Sequence, residues 1–149
     1  TRPGRLDAGV VLWMMEQGMS HDEIQNVLYY ESGLKALSGL TDMRALLASN
    51  KPQAELALAY FAYHTAESIA GLCVSLGGLD TLVFTAGIGE NCPEMRARVC
   101  RHLEWLDEQA NQENASNIAA DASTISVLVV PTDEESVIAN KTLQVLSRV

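Results

Sequence analysis

Basic residues are scarce in this chain: 10 Lys and Arg stand against 19 Asp and Glu, a formal net charge of −9. That deficit argues against a nucleic-acid backbone or an anionic membrane as partner. It does not argue against a nucleotide, whose phosphates can be managed by backbone N–H groups and Mg²⁺. Cysteine is also sparse. Cys73, Cys92 and Cys100 form no CxxC pair and leave one thiol unmatched, so a reduced, cytoplasmic compartment is expected rather than a disulfide framework. His21, His64 and His102 show no HxxxH spacing, which argues against zinc, and His64 reads as a hydrogen-bonded core or interface histidine. No apolar run reaches a membrane span and no basic region precedes a secretory one. The best stretch, Leu56 to Leu76, is broken by His64, Glu67 and Ser75 and reads as a buried helix. Neither GxGxxG nor GxxxxGK[ST] occurs, so the two common phosphate-loop fingerprints are missing. The chain opens Thr1-Arg2-Pro3-Gly4 without an initiating Met, and sequence upstream is expected to have been removed.

What is present suits one domain with a hydrophobic core: 149 residues, 48% of them hydrophobic. Leu6 to Gln17 carries Val10, Val11, Trp13, Met14 and Met15, the density of a mostly buried helix closed by Gly18. Ser20 with Glu23 three residues on makes a capping box for a helix reaching about Glu31. Ser32-Gly33 turns the chain into a short apolar piece ending near Leu40. Thr41 or Asp42 caps a helix over Met43 to Ala48. A long helix from Pro52 to Leu76 has so few polar residues that more than one face should be covered. Then the character changes. Thr81 to Thr85 and Ile125 to Val130 are short, β-branched apolar runs, the pattern of buried parallel strands. Between them, Pro93-Glu94 starts a helix to about Leu103, and a more polar helix is expected over Asp107 to Ala120. Asp133-Glu134-Glu135 opens a last helix to about Ser147. The class is α/β, helix-rich, with few parallel strands.

Four segments can carry chemistry. Gly87-Ile88-Gly89-Glu90-Asn91 follows the first strand directly. Its two glycines can take positive φ and admit a ligand to the backbone, beside the helix start at Pro93. On the residues alone it is equally a tight strand-to-helix connection. Asp42, ahead of Met43 and Arg44, reads first as a helix cap, while Arg44 in a first turn calls for a counter-anion or a stacking partner. Glu134, between Asp133 and Glu135, reads as capping chemistry or as a Mg²⁺ carboxylate. Arg2 is an exposed terminal cation or an anion fork.

In order, Thr1–Val11, Glu31–Leu34, Asp42–Arg44, Phe84–Asn91 and Val130–Glu135 resemble the acetate kinase family, including the propionate kinases. The resemblance spans nearly the whole chain. It implies the C-terminal ribonuclease-H-like nucleotide-binding domain of the actin, Hsp70 and sugar-kinase superfamily, here residues 1–149. It further implies reversible transfer of the ATP γ-phosphoryl to acetate with Mg²⁺ or Mn²⁺, and a homodimer. By the same resemblance Arg2 matches the arginine that stabilises the phosphoryl transition state. Asp42, Met43 and Arg44 match an adenosine contact. Gly87, Ile88, Gly89, Glu90 and Asn91 match the turn against adenine and ribose, and Glu134 matches a carboxylate associated with the metal. Most of a full-length member precedes the segment matching Thr1, including its acetate-side, phosphate-loop and catalytic acid–base residues and the opening strands of this domain's sheet. The 149 residues by themselves are therefore expected to be inactive. Acetate or another short-chain carboxylate would bind through that other part.

Overall fold

In the computed structural model, residues 1–103, 116–119, 123 and 125–147 are described. They fall into two compact units, residues 1–65 and 66–149.

The first unit is helical. α1 spans Ala8–Glu16, and the Asp7 carboxylate caps it by accepting from the Gly9 N–H at 2.6 Å. The expected burial of α1 does not hold: Leu12, Trp13 and Met15 are each more than half exposed. Apolar residues lie all round this helix, and among the described residues nothing covers most of them. α2, His21–Tyr30, begins with the expected capping box. Ser20 N–H donates to Glu23 Oε2 at 2.7 Å, and the Glu23 N–H donates to Ser20 Oγ at 3.3 Å. The apolar piece after Ser32 is helical, α3 over Gly33–Ser38, ended by Gly39 in the left-handed region at φ 76°. α4, Met43–Leu47, starts at Asp42, whose Oδ2 accepts from the Ala45 N–H at 3.1 Å.

α5 runs from Pro52 to Leu76, as expected. Its covered surface is narrower than expected: Ala54, Ala57, Leu58, Ala62 and Ala66 are buried, while Leu56, Tyr60 and Tyr63 are exposed. Those buried positions recur at three- and four-residue spacing, one stripe of a helix. With Ile24, Met43 and Leu46, the first four of these make the core of the first unit. His64 lies between the rings of Tyr60 and Tyr63, with centroids at 4.2 and 5.2 Å.

The second unit holds the sheet. β1, Thr81–Phe84, pairs in parallel with β2, Ser126–Val129, Thr81 opposite Ser126 and Phe84 opposite Val129. A further piece of chain meets the other edge of β2. Asn117 bridges antiparallel to Leu128, with Ile118 N–H donating to Val127 O at 2.7 Å. The helix expected over Asp107 to Ala120 thus fails at residues 116–118, because backbone polar groups there satisfy the strand edge. The remainder of that expected helix lies almost wholly outside the described residues. Flanked on both edges, β2 buries Val127, whereas β1 leaves Thr81 and Val83 exposed and is not the buried strand its composition implied.

α6 covers Ala86–Asn91 and α7 covers Pro93–Arg101. α7 packs Met95, Val99 and Cys100 into a core with Leu103, Ile118, Ile125 and Val127. α8, Glu134–Leu146, is capped by Asp133 through the Ser136 N–H at 3.0 Å, and its Val137, Ile138, Leu143 and Val145 are exposed. No helix among the described residues is long and apolar enough to cross a membrane.

Candidate nucleotide site

Parallel strands carry their loops to the same edge, so the segments following Phe84 and Val129 emerge side by side. Ligands of open α/β sheets sit at such carboxyl ends. An open cleft of about 480 Å³ lies there, lined by Ala86, Gly87, Glu90, Thr132, Asp133, Glu134 and Glu135. The second unit therefore brings Gly87, Glu90 and Glu134 to one place. α8, rather than the expected Pro93 helix, presents its first turn to the cleft.

The glycine segment differs from its expected form. Residues 86–91 are a short helix rather than an open turn, and neither Gly87 nor Gly89 has positive φ. The left-handed residue is Ala86, at φ 58°. Its N–H donates to Thr132 Oγ1 at 2.9 Å, which holds a conformation that a Cβ disfavours. The two glycines serve different ends. A Cβ on Gly89 would stand 3.1 Å from the Phe84 carbonyl carbon, so this residue lets α6 rest on the strand end. A Cβ on Gly87 would meet nothing within 4 Å.

Other groups fix this segment. Asn91 Nδ2 donates to Gly87 O at 3.1 Å. Arg96, 1% exposed, donates through Nη1 to Gly89 O at 2.8 Å and to Glu90 O at 3.0 Å. Burial pulls its pKa down, and the neighbouring Cys92 and Cys100 oppose that. Glu90 Oε1 accepts from the Thr132 hydroxyl at 2.6 Å and from the Thr132 N–H at 2.8 Å. Thr85, Thr132 and Arg96 were not singled out from the sequence. Only Arg96 left a trace there, as a cation four residues from each of two buried cysteines on one helix.

The Thr132 hydroxyl, and then its amide, hold the Glu90 carboxyl below its ordinary value of 4.5. Ser20 does the same for Glu23, its amide first. A carboxyl depressed in the folded chain binds fewer protons there than in the unfolded one, so stability rises with pH. These contributions are complete above the ordinary carboxylate range and vanish as pH falls through the lower folded values. Thermal midpoints should accordingly drop as pH descends below about 4.5, and Glu90→Gln should flatten that slope. An unchanged slope in the variant would show that Glu90 is not held this way.

The cleft is acidic. Glu90, Asp133, Glu134 and Glu135 line it, and among the described residues no Lys or Arg does. Glu90 and Asp133 are engaged in local hydrogen bonds, which leaves Glu134 and Glu135 as the carboxylates facing an incoming group. No group of three or more His, Cys, Asp or Glu suited to a metal occurs among the described residues. One or two carboxylates completed by water and phosphate oxygens is the way proteins usually hold Mg²⁺, and this donor set fits it.

The first unit holds Arg2 and the Asp42–Arg44 segment. Arg2 is fixed rather than freely solvated: Nη1 donates to Tyr29 O at 2.6 Å, and the guanidinium lies 4.3 Å from the Tyr29 ring centroid. Ser32 N–H donates to Thr1 O at 3.1 Å, and a Cβ on Gly33 would lie 2.6 Å from Arg2 O. Gly33 is thus required by the same contact that seats Arg2. Asp42 caps α4, Arg44 is exposed, and Met43 is 8% exposed and packs in the core.

The acetokinase family model matches residues 1–140. An acetate kinase of Rhizobium meliloti is 46% identical over 151 residues, covering 97% of this chain and 38% of that protein. The crystal structure of Porphyromonas gingivalis acetate kinase superposes with a TM-score of 0.86 at 32% identity, over 98% of this chain and 40% of that one. A propionate kinase from Francisella tularensis superposes with a TM-score of 0.82 at 32% identity, over 91% of this chain and 37% of that one. The chain therefore spans well under half the length of the relatives it matches, with a helix-rich fold around a small parallel sheet, and it belongs to the acetokinase family.

Proposed function

We propose that these 149 residues are the nucleotide-binding C-terminal domain of a carboxylate kinase that moves the γ-phosphoryl of ATP to acetate, reversibly. They would supply the adenosine side of the nucleotide cleft. The observation that carries this reading is the convergence of the Ala86–Asn91 helix and the Asp133–Glu135 turn at the shared end of two parallel strands. Gly87 to Asn91 take the adenine and ribose; by family resemblance, Asp42, Met43 and Arg44 are assigned an adenosine contact. Glu134 holds Mg²⁺, which when bound neutralises charge on the phosphate oxygens. An acidic cleft repels a bare polyphosphate, so metal and nucleotide should enter together. Arg2 is assigned to the transferring phosphoryl, where an arginine contributes on the order of 10³-fold or more in rate. Its stacking on Tyr29 pre-orients the fork.

Titration calorimetry tests the metal assignment. ADP should bind the chain more tightly with Mg²⁺ than without, and Glu134→Gln should erase the difference while sparing metal-free binding. Equal Mg²⁺ dependence in the variant would move the metal elsewhere. By themselves these residues should show no turnover in a coupled ATP-to-acetate assay, since the family resemblance implies that the acetate-side and phosphate-loop residues precede the segment matching Thr1. Measurable turnover would contradict that.

Similarity to an acetate kinase and to a propionate kinase at the same identity gives no preference between the two acyl substrates. We place the parent enzyme in the cytoplasm as a homodimer. The long apolar helix α5, Pro52–Leu76, is the candidate surface for association. A monodisperse monomer in light scattering would count against the dimer.

A further inference from the structure

We propose that Thr132 is a positioning residue for the nucleotide cleft, clasping the ends of the two strands so that residues 86–91 stand preformed. The proposal rests on the nucleotide reading of that cleft. It concerns a residue which, on that reading, does not itself touch the reacting atoms.

Hydrogen-bond accounting gives the clasp a direction. A threonine hydroxyl has one proton and two lone pairs. An ionised carboxylate can only accept, so the Thr132 proton goes to Glu90 Oε1 at 2.6 Å. The lone pairs then accept the Ala86 N–H at 2.9 Å and the Thr85 hydroxyl, 3.0 Å away, which must be the donor in that contact. The Thr132 N–H adds a second bond to Glu90 Oε1 at 2.8 Å. One side chain after β2 thereby joins the last residue before α6, the first residue of α6 and the carboxylate one turn along it. These partners are 42 to 47 residues away in sequence, so only the parallel pairing of the strands brings them within reach.

Two consequences follow. Ala86 is the one described non-glycine residue with positive φ, and the bond from its N–H to Thr132 keeps it there. Glu90 has Oε1 committed twice to Thr132, so it also holds the clasp shut. Binding to a preformed segment avoids the entropy of ordering it.

The test compares Thr132→Val, which is nearly isosteric but cannot bond, with Thr132→Ser, which restores the hydroxyl. Amide hydrogen exchange is followed by NMR at Ala86 and at Val99 in the α7 core, and ADP affinity is measured with Mg²⁺ present. In Thr132→Val the Ala86 amide should exchange about tenfold faster. Val99 should be unchanged, and ADP should bind about tenfold more weakly, the cost of re-ordering the segment. Thr132→Ser should match the unsubstituted chain in all three. Thr132→Ala, included in case the valine packs badly, should reproduce the valine pattern. Unchanged Ala86 exchange overturns the clasp, and so does equal acceleration at Ala86 and Val99, which marks general destabilisation. Undiminished ADP affinity with a loosened Ala86 overturns the positioning role. An unsubstituted chain that does not bind ADP sinks the nucleotide reading, while Ala86 exchange still decides whether the clasp exists.

Discussion

Replacing Gly87 with Leu is expected to abolish ADP binding, by on the order of a hundredfold or more, and to leave the chain at least as stable. A Cβ on Gly87 meets no atom within 4 Å, and the residue lines the cleft, so a larger side chain fills space that the ligand needs. Gly87 lies inside a short helix with ordinary φ, where replacing glycine with a good helix former gains up to about 1 kcal/mol. Gly89→Ala should instead lower stability. Its Cβ would press on the Phe84 carbonyl carbon at 3.1 Å, and overpacking of this kind costs about 1–3 kcal/mol. Calorimetry paired with urea unfolding separates the two. A Gly87→Leu chain that binds ADP normally would place the ligand away from this face of α6.

Arg96→Leu carries the largest expected loss of stability, about 3–5 kcal/mol. The guanidinium is nearly inaccessible and donates to the Gly89 and Glu90 carbonyls. Hydrogen bonds to charged groups contribute about 1.5–3 kcal/mol each, and removing the donor leaves two carbonyls short of a partner. The urea midpoint of the second unit measures the loss. A fall under about 1 kcal/mol would mean that water replaces the guanidinium at little cost.

How legible this was in the sequence depended on the range of the interaction. The capping box of α2 was legible because Ser20 and Glu23 are three residues apart and their bonds are local. The strands were legible because β-branched runs between turns have few other uses, and the register followed only once both were paired. Burial of α1 was misread because Trp13 and Met15 say what the residues prefer, not what covers them. Positive φ was expected at the glycines and occurs at Ala86, because the hydrogen bond its N–H donates to a distant threonine offsets the strain. That threonine lies within the Val130–Glu135 segment, but its partners are 42 to 47 residues away and nothing local points to them. Arg96 did carry a local signal, as a lone cation on the buried stripe of α7, and a closer reading of that helix would have found it.

Nucleotide binding at the end of the β1–β2 pair is the proposal on which the other binding expectations rest. Its most direct test follows the backbone amide resonances of the 149-residue chain through a titration with ADP and Mg²⁺. Saturable shifts should concentrate at Ala86–Asn91 and Thr132–Glu135, with a further set at Asp42–Arg44. Saturable shifts confined to other segments, or none at millimolar ADP, would contradict the claim.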